Sequence, residues 1–219
     1  MSRHFTQVDM TPVYGLFHYL FHTLHGMFFR GEVAGVENIP ATGAFLLAAN
    51  HASHLDPPAI GSQVPRQIAF FARKTLWKGG ILSWWMDQAG CIPVDRDGAS
   101  DVGAIKRVLR TLQEGRALIL FPEGTRSKDG QFQAPKSGVG MIACRAKVPV
   151  VPVRIFDSHV AWGRGRRINP GVPVSVVFGK PVTVAEFEDR SAGKQRYQIA
   201  SERIMARIAA LTAPPVNVV

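Results

Sequence analysis

Two short clusters hold the residues whose types and spacing suit chemistry. The first is Asn50-His51-Ala52-Ser53-His54-Leu55-Asp56, followed by Pro57-Pro58. His51 and Asp56 are its natural pair. A neutral imidazole takes a proton from a hydroxyl near pH 7, and a carboxylate on the other ring nitrogen fixes the tautomer and stabilises the imidazolium. Plainer roles are open to both: Asp56 as the cap of a helix entering Pro57-Pro58, and His51 as a satisfied core histidine. The second cluster is Phe121-Pro122-Glu123-Gly124-Thr125-Arg126-Ser127. Its turn backbone, hydroxyl and guanidinium are the parts of a cradle for phosphate or carboxylate.

Several other chemistries are excluded by spacing. A dinuclear metal site of the form H-x-H-x-D-H, aligned on His54 and Asp56, needs histidines where Ala52 and Pro57 stand. The chain has no Gly-Lys-Ser/Thr phosphate loop, no G-x-G-x-x-G and no G-x-S-x-G elbow. Neither a resident metal nor a bound cofactor is expected.

Both clusters directly follow apolar runs, Ala44–Ala49 and Ala117–Phe121, and the C-terminal ends of buried strands are where α/β folds place ligands. Further strands are expected over Glu32–Gly35, Gln67–Ala72, Cys91–Val94, Val150–Ile155 and Val174–Phe178. Helices are expected over Asp56–Ser62, Ile81–Gln88, Ser100–Gln113, Gly138–Ala146 and Gln195–Leu211, with Ser100 as a cap and the glycines weakening the fourth. The expected fold is α/β: a mixed, largely buried sheet of about seven strands flanked by helices, with an N-terminal amphipathic helix. Two units are expected, 1–30 as that helix and 31–219 as the catalytic domain.

The chain has 219 residues with 46% apolar and 19% charged, which excludes disorder and a polytopic membrane protein. Two cysteines form no framework. The net charge is +10, and residues 126–180 carry ten basic against two acidic groups. Such a field attracts nucleic acid, anionic headgroups or a phosphorylated substrate, or it serves as a solvated face. No zinc-finger or RNA-recognition signature supports nucleic acid.

Residues 10–29 contain no Asp, Glu, Lys or Arg. His18, His22 and His25 fall on one arc of a helix, and Leu16, Phe17, Leu20, Phe21, Leu24, Met27 and Phe28 fill the other side. Three readings are open: a helix lying in the headgroup region, a helix packed on the domain, or a three-histidine zinc site. No signal-peptide pattern is present.

Four blocks in order carry a resemblance. Residues 50–56 fit N-H-x-S-x-x-D, and Gly90-Cys91-Ile92-Pro93-Val94-Asp95-Arg96 is similar to G-x-I-P-V-D-R. Residues 121–127 match F-P-E-G-T-R-S, and Val148-Pro149-Val150-Val151-Pro152-Val153 is similar to the apolar fourth block. With these blocks the chain resembles the glycerolipid acyltransferases, the family of the 1-acylglycerol-3-phosphate acyltransferases. The resemblance implies transfer of a fatty acyl group from acyl-carrier protein or a CoA thioester to the sn-2 hydroxyl of lysophosphatidate, without an acyl-enzyme. A lyso-ornithine lipid or glycerol 3-phosphate is the alternative acceptor, and water would make the chain a thioesterase.

It further implies His51 as general base oriented by Asp56. Glu123, Gly124, Thr125 and Arg126 would hold the glycerol-phosphate part, Arg96 would be a second phosphate contact, and Lys74 would serve just after a strand. Phe70, Phe71, Trp77, Trp84 and Trp85 are candidates to line an acyl groove. An anionic membrane surface is the expected partner, with peripheral or monotopic attachment at the cytoplasmic face of the inner membrane. Since one helix precedes Arg30, reversible attachment that depends on residues 1–29 is expected.

Overall fold

The computed structural model describes residues 10–94 and 102–214; Arg96 and the expected cap Ser100 lie outside them. The chain runs α1 (Pro12–Phe28), β1 (Val33–Ala34), β2 (Leu46–Ala49), α2 (Asp56–Gly61), β3 (Ile68–Ala69), β4 (Phe71–Arg73), α3 (Gly80–Gln88) and β5 (Ile92–Val94). It continues with α4 (Val102–Gln113), β6 (Ala117–Leu120), α5 (Gly138–Ala146), β7 (Val150–Ile155), α6 (Ser158–Trp162), β8 (Val176–Phe178), α7 (Val184–Phe187) and α8 (Arg196–Ala209).

Six strands form one sheet in the order β1-β8-β7-β2-β6-β3, parallel except where β8 runs antiparallel to β7. β2 (Leu-Leu-Ala-Ala) and β6 (Ala-Leu-Ile-Leu) are buried at every position. Strands this apolar are stable only with both faces covered. Because successive side chains point to opposite faces, Leu46, Ala48, Leu118 and Leu120 pack with α4, α5 and α8. Phe45, Leu47, Ala49 and Ile119 pack on the other side with Ala59 and Ile60 of α2 and with Phe29.

The register places the chemistry. β2 and β6 are parallel neighbours with Leu46 opposite Leu118 and Ala48 opposite Leu120. Their C-terminal ends therefore reach the same edge of the sheet, and the loops 50–56 and 121–127 leave it side by side.

The sheet differs from the expected seven strands at one place. The run 67–72 breaks at Phe70: β3 stays in the main sheet, while β4 pairs with β5 in a separate two-stranded ribbon. The Phe70 carbonyl accepts from the N–H of Ile92 at 2.7 Å. Its ring fills the space beside Gly61, where a Cβ would meet Cζ at 2.7 Å. One glycine of α5, Gly140, also has a packing reason. A Cβ on Gly140 would overlap the Tyr197 carbonyl oxygen, so glycine lets α5 and α8 approach closely, and its N–H donates to Ser201 Oγ at 2.9 Å.

α1 starts at Pro12, with Thr11 as its cap. Among the described residues no helix is long and apolar enough to cross a membrane.

Candidate active site

The turn after β2 is held by its own polar residues. Asn50 sits at the strand end, where its side chain donates to the Ile155 carbonyl at 3.0 Å and accepts from the Ile155 N–H at 2.9 Å. This pins the loop to β7. Ser53 accepts from the N–H of Leu55 and donates through Oγ to the Trp162 carbonyl at 2.7 Å. Asp56 is fully buried. Its Oδ2 accepts from His51 Nδ1, from the Ala52 N–H and from the Ser53 N–H, each at 2.7 Å. Leu55, not Asp56, occupies the cap position of α2. The carboxylate turns back into the loop instead, and so closes the tight turn that the five-residue spacing requires.

The bond to Asp56 uses Nδ1 of His51 and leaves Nε2 as the other nitrogen of the ring. The imidazole stacks on Phe121, with centroids 4.0 Å apart and planes at 18°. Its side chain is 12% exposed. It lines a cavity of about 360 Å³ together with Pro57, Phe71, Phe121, Gly124 and Lys136.

The turn after β6 is tied to the first. Ser127 N–H donates to the His51 carbonyl at 2.8 Å, and the Lys136 N–H donates to the Pro122 carbonyl at 2.9 Å. Glu123 is buried at 2% exposure. It accepts from the His51 N–H at 3.2 Å through Oε1 and from Gln133 Nε2 at 3.2 Å through Oε2. Burial pushes its pKa up to about 7, with these hydrogen bonds opposing the shift and the Asp56 charge adding to it. Gly124 takes a positive φ of 70°, and its open face lies against the Lys136 stem. Thr125 is exposed and Arg126 half-buried. The Arg126 charge stands near enough to His54 to lower that imidazole's pKa, second only to burial.

Of the residues singled out in the sequence, His51, Asp56, Glu123, Gly124, Thr125 and Arg126 are thus brought to one edge. Lys74 stands exposed at the start of a 3-10 turn after β4 and does not line the His51 cavity. Lys136 was missed. It lies beyond the last motif residue, and only the fold of the loop over Gly124 brings it in.

The expected acyl groove has a counterpart. A second cavity of about 330 Å³ shares Pro57 and Phe71 with the first and continues beneath α1, where Phe17, Phe70, Trp85 and Met86 line it. α1 packs on this domain, as one of the three readings had it, turning Phe17, Phe21 and Leu24 inward together with His18 and His25, while His22 is exposed. His25 is buried and bonds through Nε2 to the Val174 carbonyl at 2.9 Å; His22 Nδ1 bonds to the Ser62 carbonyl at 3.2 Å. Among the described residues no three His, Cys, Asp or Glu groups are placed to hold a metal. Leu16, Tyr19, Leu20, Met27 and Phe28 face solvent instead. The basic segment 126–180 also divides. Arg145 packs beside Tyr197 of α8, while Arg164, Arg166 and Arg167 stand exposed after α6.

A strand-end histidine–carboxylate pair beside a turn bearing arginine, on this sheet, defines a class. The acyltransferase family model matches residues 30–156, and the chain belongs to that family. It is 31% identical over 159 residues to the chloroplastic 1-acyl-sn-glycerol-3-phosphate acyltransferase BAT2 of Brassica napus, covering 71% of this chain and 46% of that protein. It is 28% identical over 179 residues to the 1-acyl-sn-glycerol-3-phosphate acyltransferase of Bacillus subtilis, covering 81% and 85%. The chain spans about half the length of the first plant relatives it matches. The crystal structure of the 1-acyl-sn-glycerophosphate acyltransferase PlsC of Thermotoga maritima superposes with a TM-score of 0.72 at 27% identity, covering 91% of this chain and 81% of that one.

Proposed function

We propose that this chain transfers a fatty acyl group from a thioester, on acyl-carrier protein or CoA, to the sn-2 hydroxyl of 1-acylglycerol 3-phosphate, giving phosphatidate. The observation that carries the reading is the His51–Asp56 pair at the cavity wall. His51 Nε2 takes the hydroxyl proton as the oxygen attacks the thioester carbonyl carbon. The C–S bond then breaks, and the imidazolium returns the proton to the departing thiolate. Asp56 remains a carboxylate throughout and stabilises the imidazolium. Holding both substrates beside one base makes the step effectively unimolecular, so no covalent enzyme intermediate is needed.

The acceptor's phosphate is assigned to Arg126 and Thr125, with the Lys136 ammonium as a further contact and Arg96 as another. The buried carboxylate of Glu123 is assigned a positioning role through the His51 backbone. A carboxylate facing the phosphate would repel it. Lys74 is assigned to the donor's side, next to the β4 wall of the acyl cavity. The outward apolar face of α1 supports peripheral contact with an anionic bilayer at the cytoplasmic face of the membrane, α1 lying in the headgroup region.

The test is a matrix of donors (acyl-carrier protein and CoA thioesters) against acceptors, read by lipid mass. Lysophosphatidate, glycerol 3-phosphate, lyso-ornithine lipid and water are the acceptors. Phosphatidate as the main product upholds the proposal. Free fatty acid alone, or acylation of another acceptor in preference, overturns it.

A further inference from the structure

A third cavity lies along the same face of α1 as the acyl groove, beneath the C-terminal half of the helix. It has a volume of about 410 Å³ and is lined by Phe21, Leu24, Leu55, Ala59, Trp162 and Ile168 among others. Nothing in the reaction as described uses it. Phe21 of α1 and Pro58 of α2 line the acyl groove as well, so these two side chains stand between the two apolar chambers.

The two chambers differ in their relation to His51. The groove adjoins the His51 cavity across Pro57 and Phe71, which line both. That suits a donor, whose chain begins at the reacting carbonyl carbon. The third cavity does not touch His51, but its rim is fastened to the same loop. The Ser53 hydroxyl donates to the Trp162 carbonyl at 2.7 Å, Ser53 bridges to Gly163, and the His54 ring lies 5.1 Å from the Trp162 ring. In a lysophosphatidate the attacking hydroxyl is separated from the chain by a glycerol carbon and an ester. Its chain must therefore start a short distance away from the base. Arg126, assigned to the phosphate, stands beside His54, and His54 contacts Trp162. A line from phosphate to chain thus runs Arg126, His54, Trp162 and into the third cavity. The segment between Trp162 and Ile168 holds Arg164, Arg166 and Arg167, all exposed, which gives this mouth the charge that an anionic lipid complements.

We propose that the cavity between α1 and the Trp162–Val174 segment holds the alkyl chain of the acceptor, a single-chain anionic lysolipid. The inference rests on the acyl-transfer reading and adds where the acceptor's own chain goes. It makes Phe21 and Pro58 the divider that keeps the two chains apart, so that each carries its own length selectivity.

Two tryptophans report on the chambers separately, since Trp162 lines the third cavity and Trp85 lines the groove. The probe is lysophosphatidate brominated along its chain, titrated below its micellar concentration into the full chain and into Trp162→Phe and Trp85→Phe. Quenching that persists in Trp85→Phe and is largely lost in Trp162→Phe is the expected result. Loss in Trp85→Phe instead, or quenching indifferent to both, overturns the assignment. Leu24→Trp, which fills the cavity from α1, gives a second arm. The expected effect is a rise of about tenfold in KM for an eighteen-carbon acceptor, the size set by losing a few methylene contacts, with the donor KM unchanged. A rise in the donor KM, or an equal rise for a six-carbon acceptor, contradicts it. The quenching arm needs no turnover. A chain that is quenched through Trp162 but forms no phosphatidate refutes the acyl-transfer reading and leaves the cavity's ligand standing.

Discussion

The sheet edge and the α1 seam are built on opposite plans. At the edge, Asp56, Glu123 and Ser127 bond to backbone groups of the two adjacent loops, and Asn50 and Ser53 tie the first loop to Ile155 and Trp162, so the position of His51 is over-determined. At the seam, α1 is held by a few hydrogen bonds at Tyr14, His22 and His25, with an apolar chamber beneath each half of the helix and an apolar face outward. The first arrangement fixes one atom for chemistry. The second leaves room for flexible chains.

The two regions also answer pH with opposite sign. Glu123 has its pKa raised from 4.5 to about 7 in the fold, so it favours the folded state when protonated. Its contribution is fully present below pH 4.5 and is lost as pH rises through 7. His18 and His25 have theirs lowered from 6.5, burial being the main cause. Their contribution is present above pH 6.5 and is lost as pH falls below it.

The largest expected effect comes from Asp56→Ala. It removes the partner of His51 and orphans two buried N–H groups, so turnover falls roughly 10²–10⁴-fold. Stability falls by about 1–3 kcal/mol for each orphaned group. Kinetics and melting on one sample check both losses; a lowered rate with an unchanged melt would show that the loop stands without this carboxylate. Next is the outward face of α1. Leu16→Ser, Leu20→Ser and Met27→Ser together remove side chains worth about 1.5–3 kcal/mol each on full burial. Sedimentation with anionic vesicles is expected to fall by more than about tenfold, at unchanged melting temperature. Point substitutions isolate the outward face, whereas deleting residues 1–29 would also remove Tyr14 and Phe29 from the domain's core.

Glu123→Gln comes third. The amide oxygen still accepts from the His51 N–H, so the variant should fold, and its melting temperature should no longer decline between pH 4.5 and 7. A decline of the same slope in the variant would assign that pH dependence to another group. Smallest is Tyr14→Phe. It removes the hydroxyl that accepts from the Ile68 N–H at 3.3 Å, at a cost of about 0.5–1.5 kcal/mol. Exchange of the Ile68 amide should quicken while turnover stays the same.

Much of the edge was legible in the sequence because its residues are contiguous there. The strands Ala44–Ala49 and Ala117–Phe121, with a polar cluster after each, already indicated where chemistry sits. Their adjacency was not legible, since pairing of β2 with β6 across about seventy residues is a tertiary fact. The burial of Glu123 and its bond to the His51 N–H were not legible either, being likewise non-local. The break at Phe70 was hidden because 67–72 is uniformly strand-like, and the switch of partner from β6 to β5 leaves no local mark. α6 and α7 are too short for periodicity, although Thr183 with Glu186 is a capping signal that sequence alone carries. For α1 the helix was evident and its facing was not. Periodicity separates two faces but does not say which turns inward, and here the seam takes part of each: Phe17, Phe21 and Leu24 with His18 and His25.

The central claim is that His51, held by Asp56, is the base for acyl transfer to lysophosphatidate. The most direct measurement is phosphatidate formed from acyl thioester and lysophosphatidate, by mass, with wild type and His51→Ala matched for melting temperature. The account predicts phosphatidate from the wild type and a rate lower by roughly 10²–10⁴-fold in the variant. Turnover by His51→Ala within a few-fold of wild type would contradict it.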